Sequence, residues 1–160
     1  MVVADRATVA DEQAQIIDQR ARFYQVPKGK PLQNAPFVDN SYKWAGGGFL
    51  STAEDLVRFG SSLLSPGFLR AESLAVMFTP QKTSSGQDTH YGIGWSITRS
   101  KSGKRLYEHN GGSVGGTTEL LVYPDQRLVV AYVCNFDNHA ASFVKQEDVE
   151  KVGEAFERPR

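Results

Sequence analysis

Residues 104–135 read KRLYEHNGGSVGGTTELLVYPDQRLVVAYVCN, and this stretch decides the fold class. Its segments at 117–123 and 127–135 are rich in the β-branched and aromatic side chains that favour strands. Pro124-Asp125-Gln126 between them is typical of a turn, so the two segments are predicted to form a hairpin. Both faces of this hairpin are largely apolar, which predicts a sheet that is covered on both sides.

A second hairpin and a helix are predicted upstream of the first hairpin. Residues 91–100 and 104–110 flank Ser102-Gly103 and have the composition of two short strands. Before them, the apolar residues of segment 53–64 recur at helical spacing. Ser51-Thr52-Ala53-Glu54 has the form of a capping box. The hydroxyl of Ser51 and the carboxylate of Glu54 would each accept a hydrogen bond from a backbone N–H at the start of this helix.

Two further helical patterns complete the predicted architecture. Residues 71–78 would form a short helix that Pro80 stops. Residues 148–159 would form a closing helix with Val149, Val152 and Phe156 on one apolar stripe. The predicted fold class is therefore α+β, an antiparallel sheet flanked by helices.

The composition is that of one ordinary globular domain. A chain of 160 residues is long enough to bury a core, and we divide it into an irregular, polar leading segment at 1–40 and a folded part at 41–160. Eighteen basic side chains balance eighteen acidic ones, so no net field attracts nucleic acid. No apolar run approaches the roughly 20 residues of a membrane-spanning helix. We expect no nucleic-acid partner and no membrane span.

Neither a metal nor an organic cofactor is expected. Cys134 is the single cysteine, and without a paired histidine nearby it makes no zinc site; its apolar neighbours predict a buried strand thiol. Residues 111–118 have part of the spacing of a P-loop, but Thr117 stands where phosphate binding requires lysine. Gly92-Ile93-Gly94 lacks the third glycine of a dinucleotide site.

The glycine-rich run after His109 allows two catalytic interpretations. Gly111-Gly112-Ser113-Val114-Gly115 spells the G-x-S-x-G nucleophile elbow, and Asp125 and His139 follow in the order of a triad. An elbow requires a helix directly after the serine, whereas the segment that follows here is strand-like, so this interpretation is disfavoured. In the other interpretation Ser113 is a bystander and His109 is the active-site residue, which spacing alone leaves undecided.

Three longer stretches carry a family resemblance. Residues 38–64 (VDNSYKWAGGGFLSTAEDLVRFGSSLL), 91–97 (YGIGWSI) and 109–135 occur in an order and at intervals that resemble the C-terminal part of serine β-lactamase-like hydrolases. That family groups class C β-lactamases, D-alanyl-D-alanine carboxypeptidases, related esterases and mitochondrial serine β-lactamase-like relatives. The resemblance implies a partial β-lactamase/penicillin-binding-protein-like (transpeptidase-like) fold and acyl-enzyme chemistry on peptide, ester or lactam carbonyls.

The resemblance also implies which residues form the site. His109-Asn110-Gly111 matches the family's late K/H-x-G motif on an edge strand, whose first residue lies beside the nucleophile and whose glycine keeps the strand clear for substrate. The backbone N–H of Gly112 would then donate to an oxyanion hole. Tyr42, Trp44 and Gly47 belong to a loop that resembles the border of the family's substrate cleft, with packing of Trp44 in the core as the alternative.

The sequence departs from the family at the residues that start the chemistry. The early S-x-x-K, which gives nucleophile and base, and the Y-x-N motif are not found before Trp44. Ser142-Phe143-Val144-Lys145 has S-x-x-K spacing but follows the last strand in a polar segment. We therefore expect a C-terminal hydrolase fragment, inactive alone, whose full-length parent takes a small-molecule or peptide substrate in the bacterial periplasm or outside the cell, or alternatively in mitochondria. The competing interpretation is a truncated, non-catalytic domain with a binding or structural role.

Overall fold

The computed structural model describes residues 8–137 and 146–156. The two predicted hairpins and three predicted helices are present, and the α+β class with an antiparallel sheet flanked by helices is confirmed. In chain order the elements are β1 (Val9–Ala10), β2 (Tyr24–Gln25), β3 (Gln33–Asn34), a 3-10 helix (Ser41–Gly46), β4 (Phe49–Leu50), α1 (Ala53–Leu63), α2 (Ala71–Met77), β5 (Ser96–Arg99), β6 (Arg105–Ser113), β7 (Gly116–Tyr123), β8 (Leu128–Cys134), β9 (Phe136–Asp137) and α3 (Gln146–Ala155).

The main sheet is an antiparallel meander in the order β5-β6-β7-β8. Both of its faces are covered, as the apolar hairpin predicted. Side chains at successive strand positions point to opposite faces, so Leu120 and Val122 pack in a cluster with α1 and α2, whereas Leu121 and Tyr123 pack in a second cluster with Val149 of α3. Two helical layers therefore hold the central strands in place.

Helix α1 begins with a different cap from the predicted one. Thr52 has extended backbone angles (φ −106°, ψ 159°), and its hydroxyl accepts a hydrogen bond from the backbone N–H of Asp55 at 3.1 Å. The hydroxyl of Ser51 is bonded to that of Thr8 instead, at 2.9 Å. The predicted capping box of Ser51 and Glu54 is therefore wrong by one residue, because the extended geometry that a cap requires is adopted at Thr52.

Helix α3 buries a different face from the predicted stripe. Val149 is 4 % exposed, but Val152 and Phe156 are 50 % and 71 % exposed. The helix instead approaches the sheet at Gly153, where a Cβ atom would come within 3.2 Å of Cγ2 of Val130. The prediction was wrong for Val152 and Phe156, because the helix lies closest to the sheet at Gly153, one turn after Val149.

The first predicted strand is shorter than expected. β5 starts only at Ser96, and the residues before it form a tight turn in which the N–H of Gly92 donates to the carbonyl of Trp95 at 2.8 Å. The N–H of Ile93 donates to the carbonyl of Met77, the last residue of α2, at 2.9 Å. The prediction of strand over 91–95 was therefore wrong, because these backbone groups are bonded within the turn and to the end of a helix.

The leading segment packs against the rest of the chain through short strands. β1 pairs with β4, and β2 pairs with β3 and, in parallel, with β9. The N–H of Tyr24 donates to the carbonyl of Asn135 at 3.0 Å. Phe23 and Ala35 close over Gly115 in the β6–β7 turn, so this segment supports the hairpin that carries the glycine-rich run.

Candidate active site

The strand that carries His109 is open along one edge over its second half. β5 pairs with β6 only as far as Ser96 opposite Glu108. Residues 109–113 of β6 pair with β7 alone. Among residues 8–137 and 146–156, no strand pairs with their other edge, so this segment presents backbone N–H and C=O groups to which an extended ligand can add as a strand.

The four predicted catalytic positions, His109, Asn110, Gly111 and Gly112, lie together on this open segment and are all exposed. His109 lies opposite Leu120, so its side chain is on the face that α1 and α2 cover. There its imidazole contacts the ring of Tyr91 edge-on, with the centroids 6.3 Å apart. A polar ring therefore stands at the start of the open edge, with two glycines close behind it.

Gly111 leaves the face beyond His109 free of a side chain. A Cβ atom at Gly111 would lie 3.0 Å from Oγ1 of Thr118 on the neighbouring strand, which is tighter than an ordinary contact. At Gly112 the nearest atom to such a Cβ is the carbonyl oxygen of Gly116, 4.0 Å away. The first glycine is thus closely packed across the hairpin, and the second lies in more open space.

A cationic side chain that the sequence reasoning missed reaches the end of this segment. Nζ of Lys43 lies 3.3 Å from Oγ of Ser113 and 5.8 Å from the ring centroid of Tyr42. The contact brings the 3-10 helix against β6 and gives the Ser113 hydroxyl a structural partner. No motif marks Lys43, because the contact joins positions 70 residues apart in the chain.

The two predicted substrate-contacting aromatic residues are exposed. Tyr42 is 73 % and Trp44 is 74 % exposed, so the alternative in which Trp44 packs in the core is wrong. Trp44 has φ 47° and ψ −132°, a conformation that bulky residues rarely adopt. Both side chains are available for contact on the loop that Lys43 ties to β6.

Gly48 is the glycine that closes this loop. A Cβ atom at Gly48 would lie 2.7 Å from the backbone nitrogen of Trp44 and 2.8 Å from the carbonyl oxygen of Asn40. Gly47, the predicted substrate-binding glycine, has φ 134°, and a Cβ there would meet only Cδ of Lys43, at 3.9 Å. At position 48 the neighbouring backbone atoms leave no room for a side chain, and at position 47 the positive φ favours glycine.

Behind the open segment, on the α3 side of the sheet, the carboxyl groups of Glu108, Glu119 and Glu150 face one another. Burial, followed by the charges of the other two, raises the pKa of Glu119 from 4.5 to about 7. Burial, followed by the charge of Glu150, also raises the pKa of Glu108. The α3 side of the sheet thus carries a cluster of carboxyl groups, whereas the opposite face carries His109 and Lys43.

The positions of Ser113 and Asp125 exclude the triad interpretation. Asp125 lies in the β7–β8 turn and is paired with Arg105. Ser113 lies at the other end of β7, a strand of eight residues, which amounts to about 25 Å at ~3.3 Å per residue. His139, the third member, lies outside the described residues, as do Ser142 and Lys145.

The described residues contain no group of three His, Cys, Asp or Glu side chains arranged to hold a metal ion. Cys134 is a free thiol on β8 and is half-buried rather than buried. A cavity of about 610 Å³ lies away from β6, between the end of α1 and α2, with Leu63, Phe68 and Arg127 in its wall. No helix in the described part of the chain is long and apolar enough to cross a membrane.

Comparison with known proteins identifies relatives of this chain. The family model for β-lactamase matches residues 6–153. The mitochondrial serine β-lactamase-like protein LACTB is 35 % identical over 82 % of this chain in both Mus musculus and Homo sapiens, and the chain spans 31 % of each of those proteins. Penicillin-binding protein 4* of Bacillus subtilis (strain 168) is 31 % identical over 62 % of the chain, which corresponds to 20 % of that protein. The chain thus spans about a third or less of these relatives.

Two solved structures share the fold. A D-stereospecific amidohydrolase from Streptomyces sp. superposes with a TM-score of 0.72 at 22 % identity, covering 92 % of this chain and 43 % of that one. A penicillin-binding protein from Bacillus halodurans superposes with a TM-score of 0.65 at 19 % identity, covering 92 % of this chain and 44 % of that one. The predicted partial β-lactamase/penicillin-binding-protein-like fold is confirmed. The chain belongs to the β-lactamase family and corresponds to part of a serine hydrolase-like domain.

Proposed function

We propose that this chain is the C-terminal part of a serine hydrolase domain and supplies one wall of its active site. The reaction is acyl transfer to a serine followed by hydrolysis of the acyl-enzyme, on a small-molecule or peptide substrate with an amide, ester or lactam carbonyl. The nucleophile and its base come from an S-x-x-K segment outside these 160 residues, since none precedes Trp44. The chain alone is therefore inactive.

The observation that carries the proposal is the open edge of β6 at residues 109–113. A substrate backbone that lies along this edge meets the N–H groups of the segment, and Gly111 leaves no side chain in its path. The N–H of Gly112 is the donor that would stabilise the developing oxyanion. His109, which can donate or accept a hydrogen bond, would lie beside the reacting carbonyl, and Tyr42 and Trp44 would contact the remainder of the substrate.

Covalent labelling tests whether the chain acts alone. We expect the 160-residue chain to remain unlabelled by a fluorescent penicillin and by a fluorophosphonate probe, with an intact penicillin-binding protein as the positive control. The matched variant is Ser113→Ala, which removes the only serine of the glycine-rich run. An adduct mapped by mass spectrometry to Ser113 or Ser142 would refute the assignment of the nucleophile to sequence outside the chain.

Peptide binding tests the open edge directly. An N-acetylated tripeptide that ends in D-alanine is added to the nitrogen-15-labelled chain, and the same tripeptide ending in L-alanine serves as the control. The D form is chosen because a structural relative is a D-stereospecific amidohydrolase. We expect amide shift changes at residues 109–113 and none around the cavity between α1 and α2. Changes confined to that cavity would contradict the proposal.

Sequencing the transcript upstream of the Met1 codon separates the hydrolase from the non-catalytic alternative. An in-frame S-x-x-K followed by a Y-x-N supports the hydrolase, because those residues would supply the nucleophile and base. A stop codon close upstream favours a binding or structural role for the 160 residues.

We also propose that the parent protein is bacterial and works outside the cytoplasm. The support is the short β7–β8 connection, in which the N–H of Arg127 closes on the carbonyl of Pro124 at 3.3 Å. The relatives include both mitochondrial and bacterial proteins. Fractionation of source cells with an antibody to this chain tests the proposal, and recovery from mitochondria would overturn it.

A further inference from the structure

Carboxyl groups from three elements lie together between α3 and part of the sheet. Glu108 belongs to β6, Glu119 to β7 and Glu150 to α3. Glu119 is 9 % and Glu150 is 5 % exposed. The side-chain amide of Gln146 donates to Oε1 of Glu150 at 2.9 Å and also to Glu108. One neutral donor therefore bridges two of the three acids.

Among the residues that the structure describes, no cation balances this layer. Within the described ranges, none of the three glutamates forms an ion pair, and the Glu119 carboxyl has no hydrogen-bond donor. Lys101 gives its backbone N–H to Glu150 at 3.1 Å, but its ammonium is paired with Glu147 at 2.6 Å. Buried carboxylates that face one another cannot all be ionised at low cost, so a proton is retained among them.

The groups around Glu119 come from every element packed against it. Burial first, and then further causes, raises the pKa of both Tyr123 and Tyr132 to about 12, so neither hydroxyl changes charge near neutral pH. Within the described residues, Glu119 faces Glu108 of β6, Tyr132 of β8 and Glu150 of α3. Thr98 of β5 lies beside Glu108, and Glu154 of α3 lies near Tyr123 of β7. The hydroxyl of Tyr123 is buried without a partner in the described residues.

The layer lies directly behind the candidate site. Glu119 is opposite Asn110 in the β6–β7 register, and Glu108 immediately precedes His109. We propose that this carboxyl layer makes the docking of α3 proton-dependent and thereby controls how firmly the open segment of β6 is held. The effect on the site rests on the proposed function, whereas the docking equilibrium is a property of the chain itself.

The direction of the effect follows from the chemistry. With a proton on Glu119, α3 stays on the sheet and covers Leu106, Leu121 and Val130. When that proton is lost, the new charge faces Glu108 and Glu150. The helix then loosens, the carboxylate gains hydration, and β6 loses its support on that face.

Hydrogen exchange of the labelled 160-residue chain tests the proposal. Between about pH 6 and pH 8 we expect protection of the α3 amides, corrected for intrinsic exchange, to fall by about tenfold or more, and the amides of 110–112 to shift with the same midpoint. Glu119→Gln should abolish both changes. The matched control is Glu72→Gln, an exposed acid of α2, which should leave them intact.

A second variant keeps the test decisive if Glu119→Gln does not fold. Glu108→Gln removes one charge that repels the ionised Glu119. Glu119 then loses its proton more easily, so the midpoint should move to lower pH. Each of these proteins is also measured in a His109→Gln background, which removes the His109 imidazole beside the 110–112 amides. Unchanged α3 protection in the unmodified chain, or pH dependence in Glu119→Gln equal to that of the unmodified chain, would overturn the proposal. No substrate is involved, so either result is independent of the labelling test.

Discussion

Replacing Gly115 by alanine tests how the leading segment supports the candidate site. Gly115 is buried in the β6–β7 turn with φ 72°, and a Cβ atom there would lie 2.4 Å from Cβ of Phe23 and 2.8 Å from Cβ of Ala35. Gly103, in the β5–β6 turn, has a similar φ of 79° but no atom within 4 Å of its Cβ position. The two substitutions therefore share a backbone cost and differ in packing.

The expected magnitudes follow from these two terms. A left-handed conformation costs an L-residue about 1 kcal/mol, so Gly103→Ala should lower the free energy of unfolding by about that amount. Overpacking adds about 1–3 kcal/mol, so Gly115→Ala should lower it by about 2–4 kcal/mol. Urea unfolding followed by circular dichroism measures both. Losses equal to within about 0.5 kcal/mol would refute the reasoning, because the contact with Phe23 and Ala35 would then cost nothing.

Two further predictions concern the acidic layer and the exposed surface. Because the pKa of Glu119 is raised from 4.5 to about 7 in the fold, its contribution to stability is full below about pH 4.5 and is lost as the pH rises through 7. At about 1.4 kcal/mol per pKa unit, Glu119→Gln should raise the free energy of unfolding at pH 8 by up to about 3 kcal/mol. A difference between the two proteins that does not change with pH would contradict this. The exposed side chains of Phe37, Tyr42, Trp44 and Phe156 predict association of the chain, so a sharp monomeric peak in size-exclusion chromatography with a cooperative melt would count against it.

Local patterns predicted most of the sheet. The β7–β8 hairpin and α1 were found within one or two residues, because β-branched runs and helical spacing act over neighbouring positions. The cap at Thr52 and the buried face of α3 were missed, because each depends on a contact with a distant residue. Ser51 is engaged by Thr8, and Gly153 lies against Val130. Neither contact can be predicted from the spacing of residues along the sequence.

In the candidate site, too, some residues carry a signal in the sequence and others do not. The candidate motif at residues 109–112 was selected because a family resemblance marks it, and its residues fall together on the exposed half of β6. Lys43 and the partners of Glu119 were not found, because a lone lysine or glutamate carries no local signal. Their importance arises from register: Ser113 is brought to Lys43, and Glu119 is set opposite Asn110, only after the strands pair.

Residues outside the motif keep this edge of β6 open. A Cβ atom at Gly92 would lie 2.2 Å from the carbonyl oxygen of Met77, so only glycine fits against the end of α2 at this point. The turn that follows brings Tyr91 opposite Ser96, and the chain therefore leaves the sheet before it could pair with residues 109–113. The same turn places the ring of Tyr91 beside His109. Without it, β5 would continue along β6 and cover the backbone groups of residues 109–113, so the contact between Gly92 and α2 is needed to keep this edge of the sheet open.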